Sequence, residues 1–195
     1  MDKKGLLLVF SGPSGAGKGT VLKQLLGAEP DMQLSVSATT RLPRDGERHG
    51  VHYFFLSNEE FERCIANGQM LEYAKYCDKY YGTPAEPIAR WLAQGKDVAL
   101  EIEVQGAKQL KEKCPDCISI FVQPPSVEEL ERRLRCRNTE DEVTIGKRLH
   151  AAKEEMRAAR DYDYVIVNDT VEHTVARIQQ IMKEEKLKLS CNISK

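Results

Sequence analysis

The sequence has no excess of charge in either sign. Its 29 Lys and Arg against 30 Asp and Glu leave a formal net charge of −1, and there is no polybasic tail. The electrostatic footprint of a nucleic-acid binder is therefore missing. No apolar run approaches the roughly 18 residues of a membrane helix. The opening Met1-Asp2-Lys3-Lys4-Gly5 leads into the short apolar run Leu6 to Phe10, too short for a secretory h-region. Cys114-Pro115-Asp116-Cys117 has the spacing of half a zinc site, but no second Cys-x-x-Cys and no nearby histidine completes it. It also precedes a strand, whereas a thioredoxin-type pair follows one. With Cys64, Cys77, Cys136 and Cys191, these cysteines read as free thiols. His49, His52, His150 and His173 form no ligand cluster, and no internal repeat or low-complexity linker occurs. These absences predict one domain, or one core with insertions, in the cytoplasm, with neither nucleic acid nor membrane as a partner.

What is present begins with the run Leu6 to Phe10, read as a buried strand. Ser11-Gly12-Pro13-Ser14-Gly15-Ala16-Gly17-Lys18-Gly19-Thr20 follows at once, and Val21, Leu22, Leu25 and Leu26 then recur at helical spacing. Strand, glycine-rich turn and helix in that order make a phosphate-binding loop. Gly12 and Gly17 let the backbone bend around an anion. The N–H groups of the turn and the helix dipole favour negative charge there. Lys18 brings a full cation that reaches β- and γ-phosphates. The usual metal-binding Ser or Thr after the lysine is replaced by Gly19, with the hydroxyl one residue later on Thr20. Direct metal ligation by the loop is therefore not expected. Mg²⁺, which keeps its waters readily, would be held through nucleotide phosphates and water near Thr20 and Glu103.

Residues 35–83 read differently from their flanks. Short strand patterns at 34–37, 51–56, 70–76 and 79–82 surround one helix, which the capping box Ser57-Asn58-Glu59-Glu60 starts at Asn58. From Pro87 on, helices and apolar strands alternate. Helices are expected at 87–94, 106–113, 126–135, around 145–156 and 169–186, and strands at 98–103, 118–122 and 164–168. The class is α/β: a three-layer phosphate-loop core with a parallel sheet, a small antiparallel β-rich insert and a helical segment above the loop. Ligands belong at the C-terminal edge of such a sheet.

Beyond the loop, two cationic clusters could meet phosphate. Arg41 and Arg44 flank Pro43, with the hydroxyls of Thr39 and Thr40 beside them. Arg132, Arg133, Arg135 and Arg137, followed by Lys147 and Arg148, could neutralise a phosphoryl group in flight. Either cluster alone is equally compatible with a solvated charged surface. Glu101 and Glu103 lie two apart at the end of a strand, so one of them could approach a metal or a sugar hydroxyl.

The chain resembles the guanylate kinases over nearly its whole length. The matching pieces are SGPSGAGKGT (11–20), SVSATTRLPRDGE (35–47), GVHYFF (50–55), LEYAKY (71–76), YYGTP (80–84), LEIEVQGA (100–107), FVQPPS (121–126), RCRNTEDE (135–142), KRLHAAKEE (147–155) and YVIVND (164–169). The resemblance implies transfer of the γ-phosphoryl of ATP to GMP with Mg²⁺. It implies a core of 1–34 and 84–195, a GMP-binding subdomain of 35–83 and a mobile lid at about 133–148. Gly12, Pro13, Ser14, Gly15, Ala16, Gly17, Lys18, Gly19 and Thr20 would cradle ATP, with Arg137 and Asn168 beside it. Ser37, Arg41, Arg44, Tyr53, Glu72, Tyr81 and Thr83 would hold GMP, with Glu101 and Glu103 nearby. Lys18, Arg41, Arg133, Arg137 and Arg148 would serve the transfer itself. ATP and GMP are the implied partners, in a monomer or a homodimer. Adenylate kinases share the GKGT ending, but the β-rich insert and Glu72 argue against them. Non-catalytic guanylate-kinase-like scaffold modules usually have a degraded loop, and the Asn-Lys-x-Asp guanine motif of GTPases is missing here.

Overall fold

The structure is a computed structural model that describes residues 5–76, 78–136 and 141–192. Along the chain run β1 (Leu7–Ser11), α1 (Lys18–Ala28), β2 (Gln33–Leu34), β3 (Ala38–Thr39), β4 (Phe54–Phe55), α2 (Asn58–Ala66), β5 (Met70–Tyr76) and β6 (Lys79–Pro84). They are followed by α3 (Ala85–Ala93), β7 (Val98–Glu101), α4 (Val104–Lys113), β8 (Ile118–Gln123), α5 (Val127–Arg135), α6 (Glu142–Arg157), β9 (Tyr164–Val167) and α7 (Val171–Asn192). One sheet has the strand order β2-β7-β1-β8-β9, with β2 parallel to β7 and β8 parallel to β9. The residues of β7 and β8 are almost wholly buried, as expected of strands covered on both faces. Among the described residues no helix is long and apolar enough to cross a membrane.

The chain packs as two compact units, Met1–Leu8 with Asp31–Cys117 and Val9–Pro30 with Ile118–Lys195. The first carries the second sheet, in the order β4-β3-β6-β5. Its small core joins Ala38, Phe61 and Met70, with Phe61 stacked on Tyr80 at 5.1 Å. The capping box of α2 forms in full: Ser57 accepts from the Glu60 N–H, and Glu60 accepts from the Ser57 N–H. In the second unit α1 packs on α7, and α5 on α6 through Leu130, Leu134, Leu149 and Ala152.

Several expectations shift. The second sheet is mixed rather than antiparallel, because β3 pairs parallel with β4 while β6 is antiparallel to both β3 and β5. The apolar run 51–56 contributes only Phe54–Phe55 as strand, because the Arg48–His52 segment folds into hydrogen-bonded turns. β7 stops at Glu101, and Glu103 becomes the N-cap residue of α4. The pattern Ser126-Val127-Glu128-Glu129 also predicts a capping box, but only half of it forms at α5: Ser126 accepts from the Glu129 N–H, whereas the Glu129 carboxylate turns to Arg132 and Arg133. α7 runs on to Asn192.

Candidate active site

The loop between β1 and α1 turns at Gly12, Gly15 and Gly17, each with positive φ. Two of these glycines are forced by their surroundings as well. A Cβ on Gly12 would lie 2.0 Å from the Val122 carbonyl oxygen, and one on Gly17 would lie 2.4 Å from Asn168 Nδ2. The backbone at these points runs too close to its neighbours for any side chain. Gly17 caps α1 without a side chain, so the first N–H groups of the helix stay open to an anion. Lys18 Nζ donates to the carbonyls of Gly12 (2.5 Å) and Pro13 (3.3 Å), which keeps the ammonium folded into the loop. Ser14, Gly19 and Thr20 are exposed, whereas Pro13 and Ala16 are buried.

Two side chains converge on the Ala16 carbonyl. Asn168 Nδ2 donates to it at 2.7 Å, and Arg133 Nη1 at 3.3 Å. Asn168 is buried behind the loop, with its Oδ1 accepting from Thr174 Oγ1 at 3.1 Å. Arg133 Nη2 also donates to the Asn168 carbonyl at 3.0 Å, while its Nε meets Glu129 at 2.8 Å. Hydrogen bonds from Arg132 and Arg133 hold the Glu129 carboxyl at about 2. Arg133 and Asn168 therefore brace the loop from behind. Arg148 Nη1 donates to Ser14 Oγ at 3.1 Å, so α6 also touches the loop. Arg137 lies outside the described residues.

The other unit gathers the residues expected to hold a nucleoside monophosphate. Both nitrogens of the Arg41 fork meet Glu47, at 2.8 and 2.9 Å, and Nη1 also donates to the Leu42 carbonyl at 2.8 Å. The guanidinium carbon lies 5.3 Å from the Tyr53 ring centroid and 5.7 Å from that of Phe55. Tyr53 meets Tyr81 edge-on at 6.3 Å, and burial raises its phenol pKa. The Arg44 side chain is exposed, and its backbone N–H donates to Glu47 at 2.7 Å. Thr39 and Thr40 do not flank the arginines as free hydroxyls. Both are buried and bond the Tyr80 backbone, and Thr39 Oγ1 also accepts from the Arg41 N–H at 3.2 Å.

Glu72 is a buried carboxylate of this unit, only 5% exposed. It pairs across the sheet with Thr83, whose hydroxyl donates to Oε1 at 2.6 Å. A β-bulge between Met70 and Glu72 resets the register just before it, the device by which strands re-aim a side chain. Burial raises its pKa above the ordinary 4.5, against the Thr83 hydrogen bond and the Lys113 charge. Ser37 is half-buried just before β3, its carbonyl accepting from the Phe54 N–H at 2.8 Å. Glu101 and Glu103 are both exposed. A groove of about 480 Å³ between α2 and α3 is lined by apolar residues such as Phe54, Leu56, Met70 and Pro87. No expected site residue lines it, so it is not where these polar groups act.

Glu47 and the residues behind Glu72 escaped the sequence reading. Glu47 sits in a run dense with charge, where one more carboxylate gives no signal. Gly106 gives no signal either, because it stands at the expected start of the helix 106–113, and only the structure places it inside α4 (Val104–Lys113).

An α/β fold, a glycine-turned loop with its lysine, and, in the other unit, an arginine on a tyrosine ring and a buried carboxylate are the features of a nucleotide-binding kinase of the phosphate-loop class. The sequence model of the guanylate kinases matches residues 4–185. A guanylate kinase of Clostridioides difficile is 55% identical over 96% of this chain and 92% of its own, and one of Latilactobacillus sakei is 52% identical over 97% and 94%. The crystal structure of guanylate kinase from Anaplasma phagocytophilum superposes with a TM-score of 0.77 at 36% identity, covering 94% of this chain and 87% of that one. The chain belongs to the guanylate kinase family.

Proposed function

We propose that the protein transfers the γ-phosphoryl group of ATP directly to GMP, giving ADP and GDP. The observation that carries this reading is the buried Glu72 carboxylate, held by Thr83 in the unit that also presents Arg41 and Tyr53. Guanine offers N1–H and the 2-amino group side by side, two donors that one carboxylate accepts together. Adenine offers a bare N1 lone pair at that place and would leave the carboxylate desolvated without a partner. Ser37 contributes a hydroxyl toward O6, and Thr83 serves the base through the hydrogen bond that its hydroxyl gives Glu72. Arg41, Arg44 and Tyr53 grip the phosphate of GMP. Because these groups address base and phosphate, dGMP is accepted as well.

In the other unit the loop amides and Lys18 hold the β- and γ-phosphates of ATP. An oxygen of the GMP phosphate forms the new bond to Pγ in line with the bond that breaks, and ADP leaves with the electron pair. The attacking phosphate is largely dianionic at neutral pH, so no general base is required. Catalysis then rests on positioning and charge. Lys18 and Arg148 stand at the loop to meet the charge on the phosphoryl group, and Arg133 and Asn168 keep the Ala16 turn in place. Arg137, which lies outside the described residues, is assigned with Arg148 to the transfer itself, and exclusion of water from Pγ favours transfer over hydrolysis.

Among the described residues no three His, Cys, Asp or Glu side chains stand together as a metal cage. The donor chemistry of the loop suits a hydrated ion, with the exposed Thr20 hydroxyl as a partner for its water. Mg²⁺ bound through the nucleotide phosphates would supply neutralisation of their charge. The place of the reaction is purine nucleotide metabolism in the cytoplasm, returning GMP to the diphosphate level. A coupled assay of ADP formation with GMP, AMP, UMP and CMP tests the reading. Turnover with GMP alone is expected, and equal turnover with AMP would overturn it.

A further inference from the structure

One face of α4 supports Glu72 from behind, and we propose that Gly106, Gln109 and Lys113 are positioning residues for base recognition. The inference rests on the guanine reading above. β5 is the edge strand of its sheet, so part of its backbone lacks a ladder partner. α4 supplies side chains in place of a neighbouring strand. Gln109 Nε2 donates to the Tyr73 carbonyl at 2.9 Å, and Gln109 Oε1 accepts from the Tyr73 N–H at 3.3 Å. Lys113 Nζ donates to the carbonyls of Leu71 at 2.7 Å and Met70 at 3.4 Å, at the bulge. Gly106, Gln109 and Lys113 are three and four residues apart and so share a helix face. The strand is pinned on both sides of Glu72, which fixes where its side chain starts.

Gly106 fixes where that side chain ends. A Cβ at 106 would lie 2.3 Å from Glu72 Oε2 and 2.9 Å from its Cδ. In an open site the carboxylate would swing aside. Here Glu72 is buried and its other oxygen is held by Thr83 at 2.6 Å, so a swing breaks that bond. The φ of Gly106 is an ordinary one, so space rather than backbone angle calls for glycine. Alanine is the better helix former at such a position, so glycine here serves the carboxylate and not the helix.

The test uses calorimetric titration of the full chain with GMP and with ATP. The parent protein is titrated first, and failure to bind GMP would overturn the base reading itself before any variant is made. Gly106→Ala is expected to weaken GMP by about tenfold or more and to leave ATP affinity within about twofold. Glu72→Asp, one methylene shorter, should weaken GMP binding beside Gly106. In the Gly106→Ala background the same change should restore part of it. A merely structural role would not reverse the sign of that second substitution. GMP affinity within about twofold of the parent in Gly106→Ala, or the same loss from Glu72→Asp in both backgrounds, would overturn the proposal. If Gly106→Ala does not fold, Gln109→Ala carries the test. A loss of GMP affinity with ATP affinity intact is expected, and unchanged GMP affinity contradicts it.

Discussion

Glu47 engages both nitrogens of the Arg41 fork, at 2.8 and 2.9 Å, and with Oε2 also accepts the Arg44 N–H at 2.7 Å. One carboxylate thus sets the position of both arginines assigned to the acceptor phosphate. Glu47→Gln removes the charge and the matched fork while keeping the shape. The KM for GMP is expected to rise by about tenfold with kcat changed far less, since the phosphate clamp acts in ground state and transition state alike. The hydrogen bond from Arg41 lowers the Glu47 pKa from 4.5 to about 2. A depressed carboxylate pKa stabilises the fold above its unfolded value, and that contribution disappears as pH falls from 4.5 toward 2. The stability difference between parent and Glu47→Gln should therefore shrink across that window. Acid titrations followed by circular dichroism would check it.

Lys18 is the cation folded into the phosphate loop. Lys18→Met is expected to retain the fold and to lose more than about nine-tenths of kcat, because an ammonium on the moving phosphoryl group supplies several kcal/mol in the transition state. Steady-state kinetics beside a thermal melt would separate the two effects. A variant that keeps more than about a tenth of kcat contradicts the role.

Arg133 holds three oxygens at once, on Glu129, Ala16 and Asn168. Arg133→Ala is expected to raise the ATP KM by about tenfold, because the Ala16 turn is left to Asn168 alone. Arg133→Lys should fail to restore it, since a single ammonium lacks the planar spread of donors to reach all three. Recovery of ATP affinity in the lysine variant would show that charge alone is at work.

The phosphate loop was legible in the sequence because its glycines, its lysine and its flanking apolar runs are all local signals. The α/β order was legible for the same reason. The direction of β4 was not, because whether Phe54–Phe55 meets β3 parallel or antiparallel depends on how the turns between them fold. Arg41 and Arg44 stood out in the sequence as candidates for a phosphate, but the carboxylate that sets them was hidden in a charged run. Thr39 and Thr40 misled because a hydroxyl suits a ligand and a backbone group equally well, and here they meet the Tyr80 carbonyl and N–H. Asn168 and Arg133 were placed at the nucleotide by resemblance. Their convergence on one carbonyl from positions 35 apart belongs to tertiary structure.

Burial sets the pH behaviour of Glu72, raising its pKa above 4.5. A raised carboxylate pKa leaves stability intact below the unfolded value and lowers it as pH climbs through the folded value. Glu72→Gln, which stays neutral, should therefore gain stability relative to the parent as pH rises from 4.5 upward. Urea titrations across that range would check it. A stability difference that does not change with pH would mean that the carboxyl is solvated.

The comparison that reaches furthest is Glu72→Gln measured on two acceptors. A glutamine can accept only one of the two guanine donors and turns a competing N–H toward the other. The kcat/KM for GMP is expected to fall by about 10² or more, and the preference for GMP over AMP to narrow. An unchanged GMP-to-AMP ratio in that variant would contradict the assignment of Glu72 as the group that reads the base.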